Sequence, residues 1–188
     1  MTVDYEEQLL LAKQGNATAF EVLIRHFERL IYSIAYRMMN NREDARDLAQ
    51  EALIKVYRSM DKCEDINGFK NWVCRITTNV CIDEIRKRKN KQAVSIDAHG
   101  ENEASILDAR ASDEKTPEEV VLDGERAAKI KAAINSLSET HRALIILREI
   151  KGLSYEEVAD ALDMNLGTVK SGIARARLRL RELLTSEQ

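Results

Sequence analysis

Basic side chains gather on two segments of this chain, and their spacing suits binding to a polyanion. Arg75, Asn79 and Arg86 recur at helical steps, and a run of cations follows at residues 86–89. Further downstream, five basic and no acidic residues lie between Met164 and Arg181. Cations along one helix face can contact phosphates or reach guanine edges in a major groove. The pattern indicates two nucleic-acid-binding surfaces, with a merely solvated charged face as the alternative for each.

An acidic face lies upstream, on a helix predicted to start after Asn41. Its apolar positions recur at steps of three and four between Ala45 and Val56, which places them on one side. The opposite side carries Asp44, Asp47, Gln50 and Glu51. Such a face is either solvated or a protein-docking surface whose charge gives steering and register.

Groups typical of catalysis or metal binding are missing from the sequence. There is no His-Glu-x-x-His pattern, no glycine-rich phosphate loop and no nucleophile beside a recognisable base. The three histidines have no metal-ligand spacing. The three cysteines, Cys63, Cys74 and Cys81, are expected to be reduced and packed as small apolar groups, although a thiol sensor is the alternative. We therefore expect a protein that is not an enzyme and binds no cofactor or metal.

The elements that position these residues are predicted to be helices. Among 188 residues only 7 are Gly and 1 is Pro, while 44% are hydrophobic, a composition typical of a folded all-α protein. The apolar runs are far too short to span a bilayer, so no membrane insertion and a cytoplasmic location are expected. The net charge of −3 argues against nucleic acid when it is taken alone.

The distribution of charge reverses that argument. Residues 66–90 carry six basic and two acidic side chains, and residues 126–188 carry eleven and eight. Between them, residues 91–125 carry three basic and ten acidic side chains. Near neutrality is thus a cancellation between basic and acidic segments, and such asymmetry often marks a polyanion-binding surface.

The chain is predicted to form two small helical domains, residues 1–90 and 116–188, joined by a flexible acidic linker at residues 91–115. The stretch from Asn90 to Lys115 shows little helical periodicity, as is typical of segments that separate domains. A coil of this length spans roughly 28 Å on average and at most about 85 Å.

Capping signals set the boundaries of the second domain. Thr116-Pro117-Glu118-Glu119 and Ser154-Tyr155-Glu156-Glu157 both fit the capping box that begins a helix. The second box opens a short helix, and a turn at residues 163–165 and a helix from about Leu166 follow it. Two helices around a three-residue turn form a helix-turn-helix.

At these residues the chain resembles the bacterial sigma-70 family, specifically its extracytoplasmic-function (ECF, group 4) branch of RNA polymerase sigma factors. Residues 44–52, Asp-Ala-Arg-Asp-Leu-Ala-Gln-Glu-Ala, resemble region 2.2, and residues 69–79 with Asp83 and Arg86 resemble regions 2.3 and 2.4. Residues 153–159, 167–171 and 175–177 resemble region 4.2. The order and separation of these motifs are more specific than any one of them.

The resemblance implies a sigma factor that binds the RNA polymerase core, directs it to promoter DNA and helps to open the DNA duplex. Docking on the β′ clamp helices would use Asp44, Asp47, Gln50 and Glu51. The β subunit of the core would be a further partner of this chain. The −10 element would be contacted by Arg75, Asn79, Arg86, Lys87, Arg88 and Lys89. A helix-turn-helix at residues 155–178 would read the −35 element through Thr168, Lys170, Ser171, Ala174, Arg175 and Arg177. The family further implies an anti-sigma factor and association with the nucleoid during initiation.

Four residues depart from the family pattern. Arg46 stands where the family usually has an acidic residue. Asp163 and Asn165 replace the usual Gly and Pro of the turn, and both Asp and Asn tolerate turn conformations. Gly172 replaces a common Arg, which we interpret as the loss of a phosphate contact. A stand-alone helix-turn-helix regulator is the alternative function, but it explains only residues 154–181.

Overall fold

The computed structural model describes residues 4–63, 66–94 and 117–185. Most of the predicted linker and Thr116 of the first predicted capping box lie outside these ranges. Within them there are eight α-helices and no strand, so the predicted all-α class is confirmed. The helices are α1 (Tyr5–Lys13), α2 (Ala17–Met39), α3 (Arg42–Arg58), α4 (Ile66–Val94), α5 (Pro117–Asn135), α6 (Glu139–Ile145), α7 (Tyr155–Leu162) and α8 (Leu166–Thr185).

The N-terminal domain, α1–α4, is a bundle built around α2. Asn40 ends α2 in the left-handed conformation, with φ 57°, and Asn41 begins α3 by accepting from the amides of Glu43 and Asp44. This tight connection folds α3 back along α2, where Leu23 and Ile34 are fully buried. A 3₁₀ turn at Met60–Lys62 precedes α4. The helix α4 extends to Val94, past the domain boundary predicted at residue 90.

The C-terminal domain, α5–α8, contains the predicted helix-turn-helix. The Ser154 hydroxyl accepts from the Glu157 amide at 3.0 Å, and the Glu157 carboxylate accepts from the Ser154 amide at 2.7 Å, which completes the capping box that begins α7. Asp163 ends α7 with φ 53°, and α8 follows at Leu166 as predicted. A π-helical segment, Ile146–Ile150, continues α6 and contributes buried side chains to the core.

The two domains pack against each other, and most of their buried apolar side chains form one continuous core, while a small second cluster lies within the C-terminal domain. On one side Arg142 Nη1 donates to the carbonyl of Met38 at 2.6 Å. Beside it, Lys131 Nζ lies 3.0 Å from the Tyr36 hydroxyl, and Lys151 Nζ bonds to Ser33 Oγ. These contacts hold α2 against the C-terminal domain, while α4 packs mainly against α7. In the part of the chain that the structure describes, no helix is long and apolar enough to cross a bilayer.

Candidate nucleic-acid and protein interfaces

The helix α8 presents all six of its predicted DNA-binding residues on its exposed side. Val169, Ile173 and Ala176 are fully buried, which fixes the rotation of the helix. Asn165 Oδ1 accepts from both the amide and the hydroxyl of Thr168, each at 2.8 Å, and so caps the first turn. The six predicted DNA-binding residues, all exposed, are Thr168, Lys170, Ser171, Ala174, Arg175 and Arg177.

The two arginines of this surface have partners within their own domain. Arg175 Nη2 lies 3.2 Å from Ser171 Oγ, one turn earlier on α8. Arg177 donates to one Glu149 oxygen through Nε at 3.2 Å and Nη2 at 2.6 Å, and this hydrogen bonding raises the pKa of Arg177. Arg177 must therefore release Glu149 before it can offer those two N–H groups to DNA.

Gly172 faces the interior of the domain. It is buried, and a Cβ at this position would lie 2.6 Å from Cδ1 of Leu144 on α6. The interpretation that this glycine removes a phosphate contact is therefore wrong, since a side chain here points at α6. Its small size instead permits the close approach of α8 to α6.

The predicted −10 residues lie on α4, and three of them pair with the C-terminal domain. Arg75 Nη2 lies 3.0 Å from Asp163 Oδ2. Glu139 accepts from Arg86 Nε at 3.4 Å and from Lys89 Nζ at 2.7 Å. The hydrogen bond from Lys89, followed by one from its own backbone amide, lowers the pKa of Glu139 to about 2. Glu139 on α6 thus pairs with two cations of α4 across the domain interface.

Arg88, one of the residues predicted to contact the −10 element, forms an ion pair with Asp44 of the predicted polymerase-docking face. Its guanidinium binds both oxygens of Asp44 at 2.7 Å, and its Nε lies 2.8 Å from Glu84. Hydrogen bonding from Arg88 lowers the pKa of both carboxyl groups. Lys87 lies 3.7 Å from the same Glu84. Asp44 and Arg88, assigned to different partners, thus brace α3 against α4.

The rest of the predicted polymerase face lies on the exposed side of α3. Asp47, Gln50 and Glu51 all face solvent there. Glu51 forms an ion pair with Lys55, one turn later, at 2.8 Å. The structure thus keeps these three side chains on one surface and turns only Asp44 inward toward Arg88.

A cleft of about 340 Å³ opens beside Asn79, between the end of α3 and the middle of α4. Polar side chains surround an apolar wall of Ile76 and Val80, and the lining residues are Lys55, Arg58, Ser59, Ile76, Asn79 and Val80. Sequence reasoning missed Lys55 and Arg58, although their i, i+3 spacing in the last turn of α3 puts both cations on one side. Its lining combines the hydrogen-bond donors of Lys55, Arg58 and Asn79 with the apolar surface of Ile76 and Val80.

The cysteines are buried, as expected. Burial raises the pKa of Cys74 to about 11 and that of Cys81 to about 12, so both thiols stay protonated. Among the described residues, no group of three or more His, Cys, Asp or Glu could hold a metal ion.

Comparison with known proteins gives a consistent result over both domains. The family model described as Sigma-70 region 2 matches residues 23–91, and that described as Sigma-70, region 4 matches residues 127–180. The ECF RNA polymerase sigma factor SigW of Bacillus subtilis is 32% identical over 184 residues, covering 98% of both chains. The ECF RNA polymerase sigma factor SigE of Mycolicibacterium smegmatis is 36% identical over 91% of this chain, which spans only 63% of that protein.

Solved structures agree in fold. The sigma factor RpoE of Bartonella quintana, in complex with the anti-sigma factor NepR, has a TM-score of 0.68 at 28% identity, covering 90% of this chain and 98% of that one. CnrH, in complex with the cytosolic domain of CnrY, has a TM-score of 0.69 at 22% identity, covering 98% and 100%.

Proposed function

This chain belongs to the sigma-70 family of RNA polymerase sigma factors, in its ECF branch, and from that premise we propose which of its surfaces binds each partner. As a sigma factor it is not an enzyme but a transcription initiation factor, and it acts on RNA polymerase and promoter DNA. The N-terminal domain binds the core and the −10 element. The C-terminal domain binds the −35 element.

The −35 duplex lies against the exposed side of α8. One observation carries this assignment. Thr168, Lys170 and Arg175 are all exposed, on the side of α8 opposite the fully buried Val169, Ile173 and Ala176. Small residues at Ser171 and Ala174 let the helix approach base edges, while Lys and Arg reach phosphates or guanine. Arg177 joins this surface when it exchanges Glu149 for a phosphate.

The −10 strand runs along α4 and enters the cleft beside Asn79. Opening a duplex requires cations that follow the phosphates and a place to hold an extruded base. Arg86, Lys87 and Lys89 supply the cations. Lys55, Arg58 and Asn79 supply donors around the apolar wall formed by Ile76 and Val80.

The exposed side of α3 docks on the β′ clamp helices of the polymerase core, of which the β subunit is also a part. Asp47, Gln50 and Glu51 face solvent there, and their charge steers the encounter. Asp44 contributes by fixing Arg88 rather than by direct contact, because both of its oxygens already accept from that guanidinium.

Regulation by an anti-sigma factor is supported by one of the solved relatives, the sigma factor RpoE, which is held in a complex with the anti-sigma factor NepR. A cytoplasmic location with nucleoid association during initiation follows from the need to reach promoter DNA. The proposed division into two domains and a linker, predicted at residues 1–90, 91–115 and 116–188, is kept with the end of the first domain moved to Val94, where α4 ends.

Reconstitution with core polymerase tests the −35 assignment. We expect Arg175→Ala combined with Arg177→Ala to weaken promoter binding by the holoenzyme and to lower the slope of log K against log salt by about 1 for each lost phosphate contact. Arg179→Ala is the matched control, since Arg179 is exposed on the same helix but pairs with Glu182 at 3.0 Å. An unchanged salt slope in the double variant would exclude this pair from the DNA interface.

A further inference from the structure

The contacts between α3 and α4 show that the two helices run antiparallel, with a different feature at each end of the pair. At one end, Asp44 in the first turn of α3 meets Arg88 of α4 at 2.7 Å. At the other end, Lys55 and Arg58 of α3 line the cleft beside Asn79. The two ends are about 16 Å apart along the axis of α3. The exposed face assigned to the polymerase core lies between them, so the placement of α3 on α4 affects both sites.

Arg88 has already used most of its hydrogen-bonding capacity. Of the five N–H groups of an arginine, three are engaged in Arg88: Nη1 and Nη2 bind the two oxygens of Asp44, each at 2.7 Å, and Nε binds Glu84 at 2.8 Å. Two-pronged pairing of this kind is among the strong hydrogen bonds of proteins and fixes the orientation of both groups. One cation shared by two carboxylates leaves a cluster of net negative charge, which does not attract a phosphate.

Arg88 differs in this respect from its neighbour Lys87. The partners of Arg88, Asp44 and Glu84, expose only 24% and 23% of their side chains, and hydrogen bonding from Arg88 lowers the pKa of both carboxyl groups. Lys87 reaches Glu84 only at 3.7 Å, and its side chain is 63% exposed. A phosphate would have to draw Arg88 away from two largely covered carboxylates, whereas Lys87 would give up one long contact.

We propose that Arg88 is a positioning residue rather than a contact of the −10 strand, and that with Asp44 and Glu84 it forms a brace that sets the core-docking face of α3 and the −10 cleft in a fixed relation. This inference rests on the −10 and polymerase assignments made above. Loss of the brace lets α3 shift on α4. Core binding then weakens because the docking face moves, and promoter opening slows because Lys55 and Arg58 move relative to Asn79.

Substitutions on both helices test the brace in the holoenzyme. Arg88→Met keeps the length of the side chain without its charge, and Asp44→Asn keeps the shape of the carboxylate. We expect each variant to bind core about fivefold more weakly, measured by displacement of labelled wild-type chain. We also expect each to slow promoter opening at saturating core, measured by permanganate reactivity of unpaired thymines. The double variant should match either single variant, because both substitutions remove the same contact.

Arg88→Lys separates a brace from a phosphate contact. Lysine binds phosphate as a point charge but lacks the planar fork that holds a carboxylate by two bonds, so we expect Arg88→Lys to behave like Arg88→Met. Arg25→Met is the matched control, since Arg25 is exposed and its ion pair with Glu21 stays within α2. Ile34→Val removes one methylene from the same bundle and controls for lost stability alone. Neither control should change core affinity or promoter opening.

Four results would overturn the brace. The first is normal core affinity and promoter opening in Arg88→Lys, and the second is faster opening in Asp44→Asn, which would show that a released Arg88 binds DNA. The third is additive loss of core affinity in the double variant, which would assign Asp44 and Arg88 to separate partners. The fourth is an equal loss in Ile34→Val, which would reduce the effect to stability.

The salt dependence of promoter binding distinguishes failure of the brace from failure of the −10 assignment. Arg86→Ala combined with Lys89→Ala should lower the slope of log K against log salt by about 1 for each lost phosphate contact, while Arg88→Met should leave the slope unchanged. A lower slope in Arg88→Met would make Arg88 a DNA contact and overturn the brace, while the −10 assignment stands. An unchanged slope in the Arg86 and Lys89 double variant would overturn the −10 assignment, while the brace stands on the loss of core affinity, which is measured without DNA.

Discussion

Gly172 is the residue at which α8 comes closest to α6. A Cβ would lie 2.6 Å from Leu144 Cδ1, and Leu144 is itself only 1% exposed. The atom in the way is the end of a flexible side chain, so a methyl group can be accommodated by a rotation of Leu144. A long charged side chain cannot, because it would have to cross the domain core to reach water.

We therefore expect Gly172→Arg to lower the free energy of unfolding by about 2 kcal/mol and to weaken −35 binding. Urea unfolding followed by circular dichroism, with duplex binding by the holoenzyme, checks both effects. Gly172→Ala is the control, in which about 1 kcal/mol of helix propensity offsets the displacement of Leu144 and leaves stability nearly unchanged. A stable Arg variant with a steeper salt slope would show instead that position 172 faces DNA.

The buried cysteines set a second expectation at the residue scale. Since burial raises the pKa of Cys74 to about 11 and of Cys81 to about 12, the reactive thiolate is nearly absent at neutral pH. We expect iodoacetamide to leave both residues unmodified in the native chain and to modify them after urea unfolding, as followed by mass spectrometry. Rapid native modification of either thiol would support the redox-sensor alternative.

At the scale of elements, local signals predicted the helices well because each boundary depends on neighbouring residues. Asn41 caps α3, and the Ser154 box begins α7, at the positions that the sequence indicated. The π-helical segment at Ile146–Ile150 has no local signal, since its apolar residues fit an α-helix equally. The inward position of Gly172 also escaped prediction, because a helical glycine has no side chain whose polarity reveals its face.

The capping box at the start of α7 makes a prediction for the whole helix-turn-helix. Loss of the Ser154 hydroxyl leaves the Glu157 amide without its 3.0 Å acceptor. We expect Ser154→Ala to lower the free energy of unfolding by about 1 kcal/mol and to reduce −35 binding through a less rigid α7. Ser154→Asp should retain most of both, since Asp is also a good N-cap. Equal losses in the two variants, measured by urea unfolding, would contradict a capping role.

At the scale of the whole molecule, the net charge of −3 is a sum of opposite charges, and some of these charges are paired in space across the domain interface. Arg75 and Asp163 are 88 residues apart, and Arg86 and Glu139 are 53 apart. No periodic pattern relates such positions, so the sequence indicated the cations of α4 but not what covers them. The fold of each domain follows from local and periodic signals, while the closed arrangement, in which the two domains pack against each other, depends on contacts that only the folded chain reveals.

The closed arrangement should respond to pH and salt in a defined direction. Hydrogen bonding from Lys89, followed by a hydrogen bond from its own backbone amide, lowers the pKa of Glu139 from its usual 4.5 to about 2. The Lys89 part of this shift means that ionised Glu139 stabilises the closed form above pH 4.5, and that this stabilisation is lost as pH falls toward 2. Salt acts similarly, because raising ionic strength from 0.1 to 1 M shortens the Debye length from about 10 to 3 Å. We expect energy transfer between dyes attached at Glu28→Cys on α2 and Thr185→Cys on α8, two exposed positions, to fall under both conditions while far-ultraviolet circular dichroism shows the helices intact. Glu139→Gln should flatten both responses, and identical curves for the variant and the wild-type chain would exclude Glu139 as the group responsible.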